Sequence, residues 1–187
     1  MGFIPLIVYG LLSGETVQSI VIASAAALVT TLVLCFSDLK KRRILAWTTV
    51  FLFGGLILAV GVLGMIGIIP LTGILIYGIL AAVSIGSIAA GIPFTLQYAR
   101  EMVDRALWDK PGFIRVNYFM TSVWAGIFVV NLLLCGVTYA NPGSMGWPAS
   151  PWTYILLVCG ILFTILYPGY VQRKHPLPEL PAKGIHE

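Results

Sequence analysis

Five apolar runs of about twenty residues occupy most of this chain, and its Lys and Arg residues fall only in alternate connections between them. A helix needs about twenty predominantly apolar residues to cross a hydrocarbon core ~30 Å thick. The runs Thr16 to Phe36, Ile44 to Leu63, Ile68 to Ala90, Val116 to Val137 and Trp152 to Val171 meet that requirement. They predict an all-α, polytopic membrane bundle of five transmembrane helices, forming a single domain over residues 1–174 with a flexible tail over 175–187. Of 187 residues 59% are hydrophobic and 10% charged, where an ordinary soluble domain carries roughly a quarter charged residues. The short connections leave no room for a separate soluble domain.

The basic residues give the orientation. Lys40, Lys41, Arg42 and Arg43 follow the first run, Arg100, Arg105, Lys110 and Arg115 the third, and Arg173, Lys174 and Lys183 the fifth; the intervening connections, including Thr138 to Pro151, carry no charge. The positive-inside rule then places the basic side and the C-terminus in the cytoplasm. A net charge of +4, clustered at helix ends, points to anionic lipid headgroups as partners and away from nucleic acid. The first fifteen residues lack Lys and Arg, so no cleavable signal is expected and the N-terminus should be retained.

Phe3 to Leu12 is apolar but interrupted by Pro5 and Gly10. As a helix it would reach about 15 Å, half a membrane, and it is expected to be re-entrant or interfacial. Ser13-Gly14-Glu15 then offers a break and an N-cap for the first span. In the third span Gly78, Ala82, Gly86 and Ala90 recur every four residues, a small stripe expected to meet another helix closely.

Between the third and fourth spans, Pro93 to Phe113 is the one extended stretch outside the membrane, with Pro111-Gly112 read as a turn. On a helical wheel Gln97, Arg100, Glu101, Asp104 and Arg105 gather on one side, opposite Phe94, Tyr98, Met102, Val103, Ala106 and Leu107. This pattern predicts an amphipathic cytoplasmic helix over 94–107 with ion pairs Glu101–Arg105 and Arg100–Asp104 at four-residue spacing. Its polar face is either a solvated surface or a site for a partner or a lipid headgroup, with the two arginines on phosphate. No His accompanies the acids and no nucleophile–base pair is suggested, so no catalytic residue is expected.

Asn117, Thr121, Trp124 and Asn131 share one face of the fourth span. Amides facing lipid are costly, so this face should point into the bundle and bond another helix. No charged residue sits at the middle of a span. Cys35, Cys135 and Cys159 lie singly in or at the edge of apolar runs, giving no disulfide framework and no metal site; no cofactor is implied. His175 and His186 fall in the Pro-rich tail.

The order of these features resembles the intracellular septation protein A family of bacterial inner-membrane proteins. The likeness runs through Phe3-Ile4-Pro5-Leu6-Ile7-Val8, Val50 to Leu56, Ile76 to Leu80, and the positions Trp108, Asn117, Trp124 and Asn131. Trp124 comes one helical turn later than the tryptophan of the family, and Pro93 to Glu101 differs from its usual basic linker, as in a divergent member. The resemblance implies a non-enzymatic protein of the bacterial inner membrane, linked to septation, cell division and envelope maintenance, with division or wall-synthesis membrane proteins as partners. Two other classes stay open: a small-molecule or lipid transporter using a polar cavity around Asn117, Thr121 and Asn131, and a lipid-acting enzyme using Glu101 or Asp104 with Arg100. An oligomer is compatible with the sequence.

Overall fold

The computed structural model describes residues 3–141 and 151–174. Most of the neutral connection and the tail expected to be flexible, with its two histidines, lie outside the described residues. Among the described residues every regular element is helical, and five helical segments are long and apolar enough to cross a membrane.

The chain begins with the half-length helix α1 (Ile4–Leu12), nine residues with Pro5 in the first turn, where its missing N–H costs nothing. It folds back along α2 (Val17–Leu34) and buries Pro5, Leu6 and Tyr9. The Phe3 ring stacks on Trp124 with centroids 4.0 Å apart, and the Tyr9 ring on Phe53 at 5.2 Å. At the other end the Tyr154 hydroxyl donates to the Gly10 carbonyl at 2.8 Å. The half-length segment is thus seated against protein along its length.

The N-cap of α2 is Thr16, one residue beyond the expected break, because Thr16 and Ser19 form a reciprocal capping box, side chain to backbone at 3.1 and 3.2 Å. Helix α2 turns Ile20, Ala23, Ser24, Ala27 and Thr31 inward, the three- and four-residue spacing of one helix face.

A five-residue helix, α3 (Phe36–Lys40), leads into α4 (Ile44–Leu56). Between them Arg42 adopts φ 54°, while Arg43 N–H bonds the Asp38 carbonyl and Arg42 N–H that of Leu39, both at 3.0 Å. This is a Schellman ending with arginine where glycine is usual. Helix α4 continues as a π-helical stretch, Ile57–Val62, then Gly64 at φ 65° turns the chain. A 3-10 stretch, Ile66–Leu71, absorbs Pro70 ahead of α5 (Thr72–Ala89).

The small stripe of α5 meets another helix only at Gly78, where a Cβ would lie 3.8 Å from the Leu132 side chain of α7. Ala82, Gly86 and Ala90 are exposed, and a Cβ on Gly86 would touch nothing. The buried face is the adjacent one, Ile76, Tyr77, Leu80, Ala81, Ser84 and Ser87, which carries the larger side chains; its serine hydroxyls donate to carbonyls of their own helix.

After α6 (Phe94–Ala99) and a 3-10 turn over Arg105–Leu107, α7 (Pro111–Ala140) runs for thirty residues. Pro111 starts this helix instead of turning ahead of it, since proline suits a first helical position. Helix α8 (Pro151–Lys174) closes the bundle. Gly160 makes its approach to α7 possible: a Cβ there would lie 2.7 Å from the Ile127 side chain and 3.0 Å from that of Trp124.

Candidate functional site at the basic end

The connector between α5 and α7 is not one amphipathic helix. Helix α6 ends at Ala99, residues 100–104 are irregular, and only Arg105–Leu107 coils again. Three polar demands break the pattern. The Trp108 indole N–H takes the Arg100 carbonyl at 2.9 Å, Asp104 accepts from Ala106 N–H at 3.0 Å as a local cap, and Glu101 is drawn to another element altogether. Met102, expected on the apolar arc, is 87% exposed.

Glu101 meets the Arg43 guanidinium at 2.5 Å and Lys41 at 2.6 Å. Arg43 also bonds Asp38 at 2.7 Å, and its guanidinium lies over the Tyr98 ring, 4.3 Å from the centroid. Its side chain is 8% exposed; such a buried cation requires paired charge, and two carboxylates supply it. The same contacts hold Glu101 below the usual carboxylate range, through hydrogen bonds first from Arg43 and then from Lys41. Burial raises the Tyr98 phenol well above its ordinary value. This knot joins α3, the start of α4 and the end of α6. The expected Glu101–Arg105 and Arg100–Asp104 pairs are not formed, because each acid is committed elsewhere.

Gln97 has a backbone role. Its Oε1 accepts from Ile44 N–H at 3.1 Å, satisfying one of the orphan donors at the start of α4 from a distant part of the chain. Beside it, Ile44, Thr48, Gly86, Ala90 and Ile92 border an open groove of about 300 Å³, where the α5 stripe has only small residues.

The sequence brings Asn117, Thr121, Trp124 and Asn131 together on one buried face of α7, and the structure keeps them there. Two of the four reach another helix. Thr95 N–H donates to Thr121 Oγ1, the Thr95 hydroxyl donates to the Asn117 carbonyl at 2.9 Å, and the hydroxyls of Thr95 and Thr121 share a bond at 2.8 Å. With the Thr95 proton used on Asn117, Thr121 is the donor of that shared bond. The Trp124 indole donates to Thr164 of α8 at 2.9 Å. Asn117 and Asn131 instead donate to carbonyls of their own helix, those of Phe113 and Ile127, and their side-chain oxygens are buried without a partner. Nearby, a cavity of about 10 Å³ bordered by Tyr9, Tyr77 and Tyr154 has room for about one water.

Asp38, Lys41, Arg43 and Tyr98 belong to the knot without having been read from the sequence as site residues, and Trp108, named only for the family likeness, lies beside it. Arg43 sat within a run of four cations, and nothing local distinguishes the one that folds inward; the Asp38 five residues before it was the available signal.

Comparison with known protein families, curated proteins and solved structures finds no match to this chain.

Proposed function

We propose that this protein is a non-enzymatic interaction protein of the bacterial inner membrane, acting in septation or envelope maintenance through its basic end. In this reading the basic end and the C-terminus face the cytoplasm, as the positive-inside rule requires. The supporting observation is where the polar organisation lies. The middle of the bundle is filled by Phe3, Trp124 and Phe128, with ring centroids 4.0 to 6.3 Å apart, whereas the charged side chains that link separate elements gather around Arg43. A surface of this kind binds partners or headgroups from outside the bundle. The family resemblance in the residues supplies the expectation that those partners are division or wall-synthesis membrane proteins.

A photocrosslinking side chain at Met102, which is 87% exposed on the connector, tests the reading in cells. The expected result is an adduct with a membrane protein of the division or wall-synthesis machinery. No protein adduct, together with normal septation in a deletion strain, would overturn it. Reporter fusions after Gly64 and after Pro142 should lie outside the cytoplasm; a cytoplasmic signal at either refutes the orientation.

Transport is a second reading, favoured by one feature, the unpartnered buried amide oxygens of Asn117 and Asn131. Solute flux into proteoliposomes that is lost in Asn131→Leu would support it.

A further inference from the structure

The charge pairing at the basic end leaves two arginines uncompensated. Glu101 is taken by Arg43 and Lys41, and Asp104 turns one oxygen to the backbone N–H of Ala106 and forms no ion pair with either arginine. Among the described residues neither Arg100 nor Arg105 forms an ion pair, although acids neighbour both in sequence. Each instead lies over the same indole: the guanidinium carbons are 5.3 Å (Arg100) and 5.5 Å (Arg105) from the Trp108 ring centroid. The indole is itself anchored, its N–H on the Arg100 carbonyl at 2.9 Å. Arg100 Nε is buried with no acceptor, a donor that the protein itself leaves unmatched.

We propose that Arg100 and Arg105, held on Trp108, clamp a phosphate group, that of an anionic phospholipid headgroup at the basic face of the membrane. Stacking on an aromatic ring restricts two otherwise mobile side chains, so less entropy is lost when they bind. Planar guanidinium forks match phosphate oxygens in paired hydrogen bonds. A tryptophan at the end of a membrane bundle sits at headgroup depth, which brings both forks to the phosphates. This clamp deepens the proposed reading of the basic end as an interaction surface, and replaces the five-residue polar face drawn from the helical wheel: Gln97, Glu101 and Asp104 leave the site and Trp108 enters it.

The test uses the full chain, delipidated in neutral detergent, titrated with phosphatidylglycerol, phosphatidylcholine or inorganic phosphate and read by native mass spectrometry. Wild type is expected to bind phosphatidylglycerol about tenfold more tightly than phosphatidylcholine, whose phosphate is the same but whose choline cation repels the two guanidiniums. The Arg100→Gln/Arg105→Gln double variant should lose that preference, while Arg173→Gln/Lys174→Gln, which removes the same charge, should keep it. Arg100→Lys/Arg105→Lys retains charge and fold but not the fork, and should fall between. Inorganic phosphate binding that depends on the same two arginines would keep the clamp and make a free phosphate its ligand. Equal weakening by both charge-removing doubles, or no preference in wild type and no phosphate binding, would overturn it. Because the measurement needs no cellular partner, it can fail while the Met102 crosslink succeeds, and the reverse.

Discussion

The ring of Phe3 lies flat on the indole of Trp124, with an interplanar angle of 15° and centroids 4.0 Å apart. The contact ties the beginning of the chain to the middle of its fourth spanning helix, and Phe3→Ala would open a void where three aromatic side chains meet. A loss of about 3 kcal/mol is expected, the usual scale for Phe to Ala in a packed core. Thermal unfolding in detergent measures it, with Phe3→Leu showing a smaller drop in Tm.

Arg43 is the cation on which the basic end depends. Arg43→Ala leaves Asp38 and Glu101 facing each other without it and is expected to cost about 3 kcal/mol, within the range for breaking a buried pair. Arg43→Lys should rescue little, since an ammonium cannot serve both carboxylates and stack on Tyr98. Denaturation of the two variants side by side would show this.

The folded-state pKa of Glu101 is lowered, by Arg43 and then Lys41, from a model-peptide value of 4.5. The stabilisation is therefore complete above that value and is lost as pH falls below it toward the folded pKa. Tm followed from pH 7 to pH 3 should drop in wild type below about pH 4.5. In Glu101→Gln it should start lower and decline less over the acid range.

Arg42 sits at φ 54°, a conformation that costs an L-residue with a Cβ about 1 kcal/mol. Arg42→Gly is expected to stabilise the protein by up to that amount, offset in part by the greater freedom of glycine in the unfolded chain. A rise in Tm would be the sign; a fall would mean that the Arg42 side chain itself makes a stabilising contact.

Gly160 leaves no space for a side chain, with Ile127 and Trp124 at 2.7 and 3.0 Å from a modest Cβ. Gly160→Val should destabilise by about 2 kcal/mol through overpacking, and should weaken the Trp124–Thr164 bond enough to shift tryptophan emission.

The spans were legible because hydrophobic length alone nearly determines a helix in a membrane. The inward face of α7 was legible too, since Asn117, Thr121, Trp124 and Asn131 are costly in lipid and recur at helical spacing. What could not be read were choices made between distant segments. The helical wheel placed Glu101 beside Arg105, but Lys41 and Arg43, some sixty positions earlier, compete for it and win because Arg43 is buried. The α5 stripe misled beyond Gly78 for a related reason: a small face permits close packing without requiring it, and the neighbouring face has larger side chains to bury and Ser87 to accept the Phe94 N–H. The half-helix α1 looked ambiguous because its partners, Phe53, Trp124 and Tyr154, lie in three other parts of the chain.

That dispersal sets an order of events during synthesis. Helix α1 is made before the rest of the bundle, yet Trp124 and Tyr154, which receive Phe3 and Gly10, are made more than a hundred residues later. Until they arrive, α1 has α2 and Phe53 to pack against. Helix α1 is thus fully docked only once α7 and α8 are made, and a chain cut short before α8 would lack the Tyr154 bond to Gly10 while keeping Phe53 and Trp124 as partners.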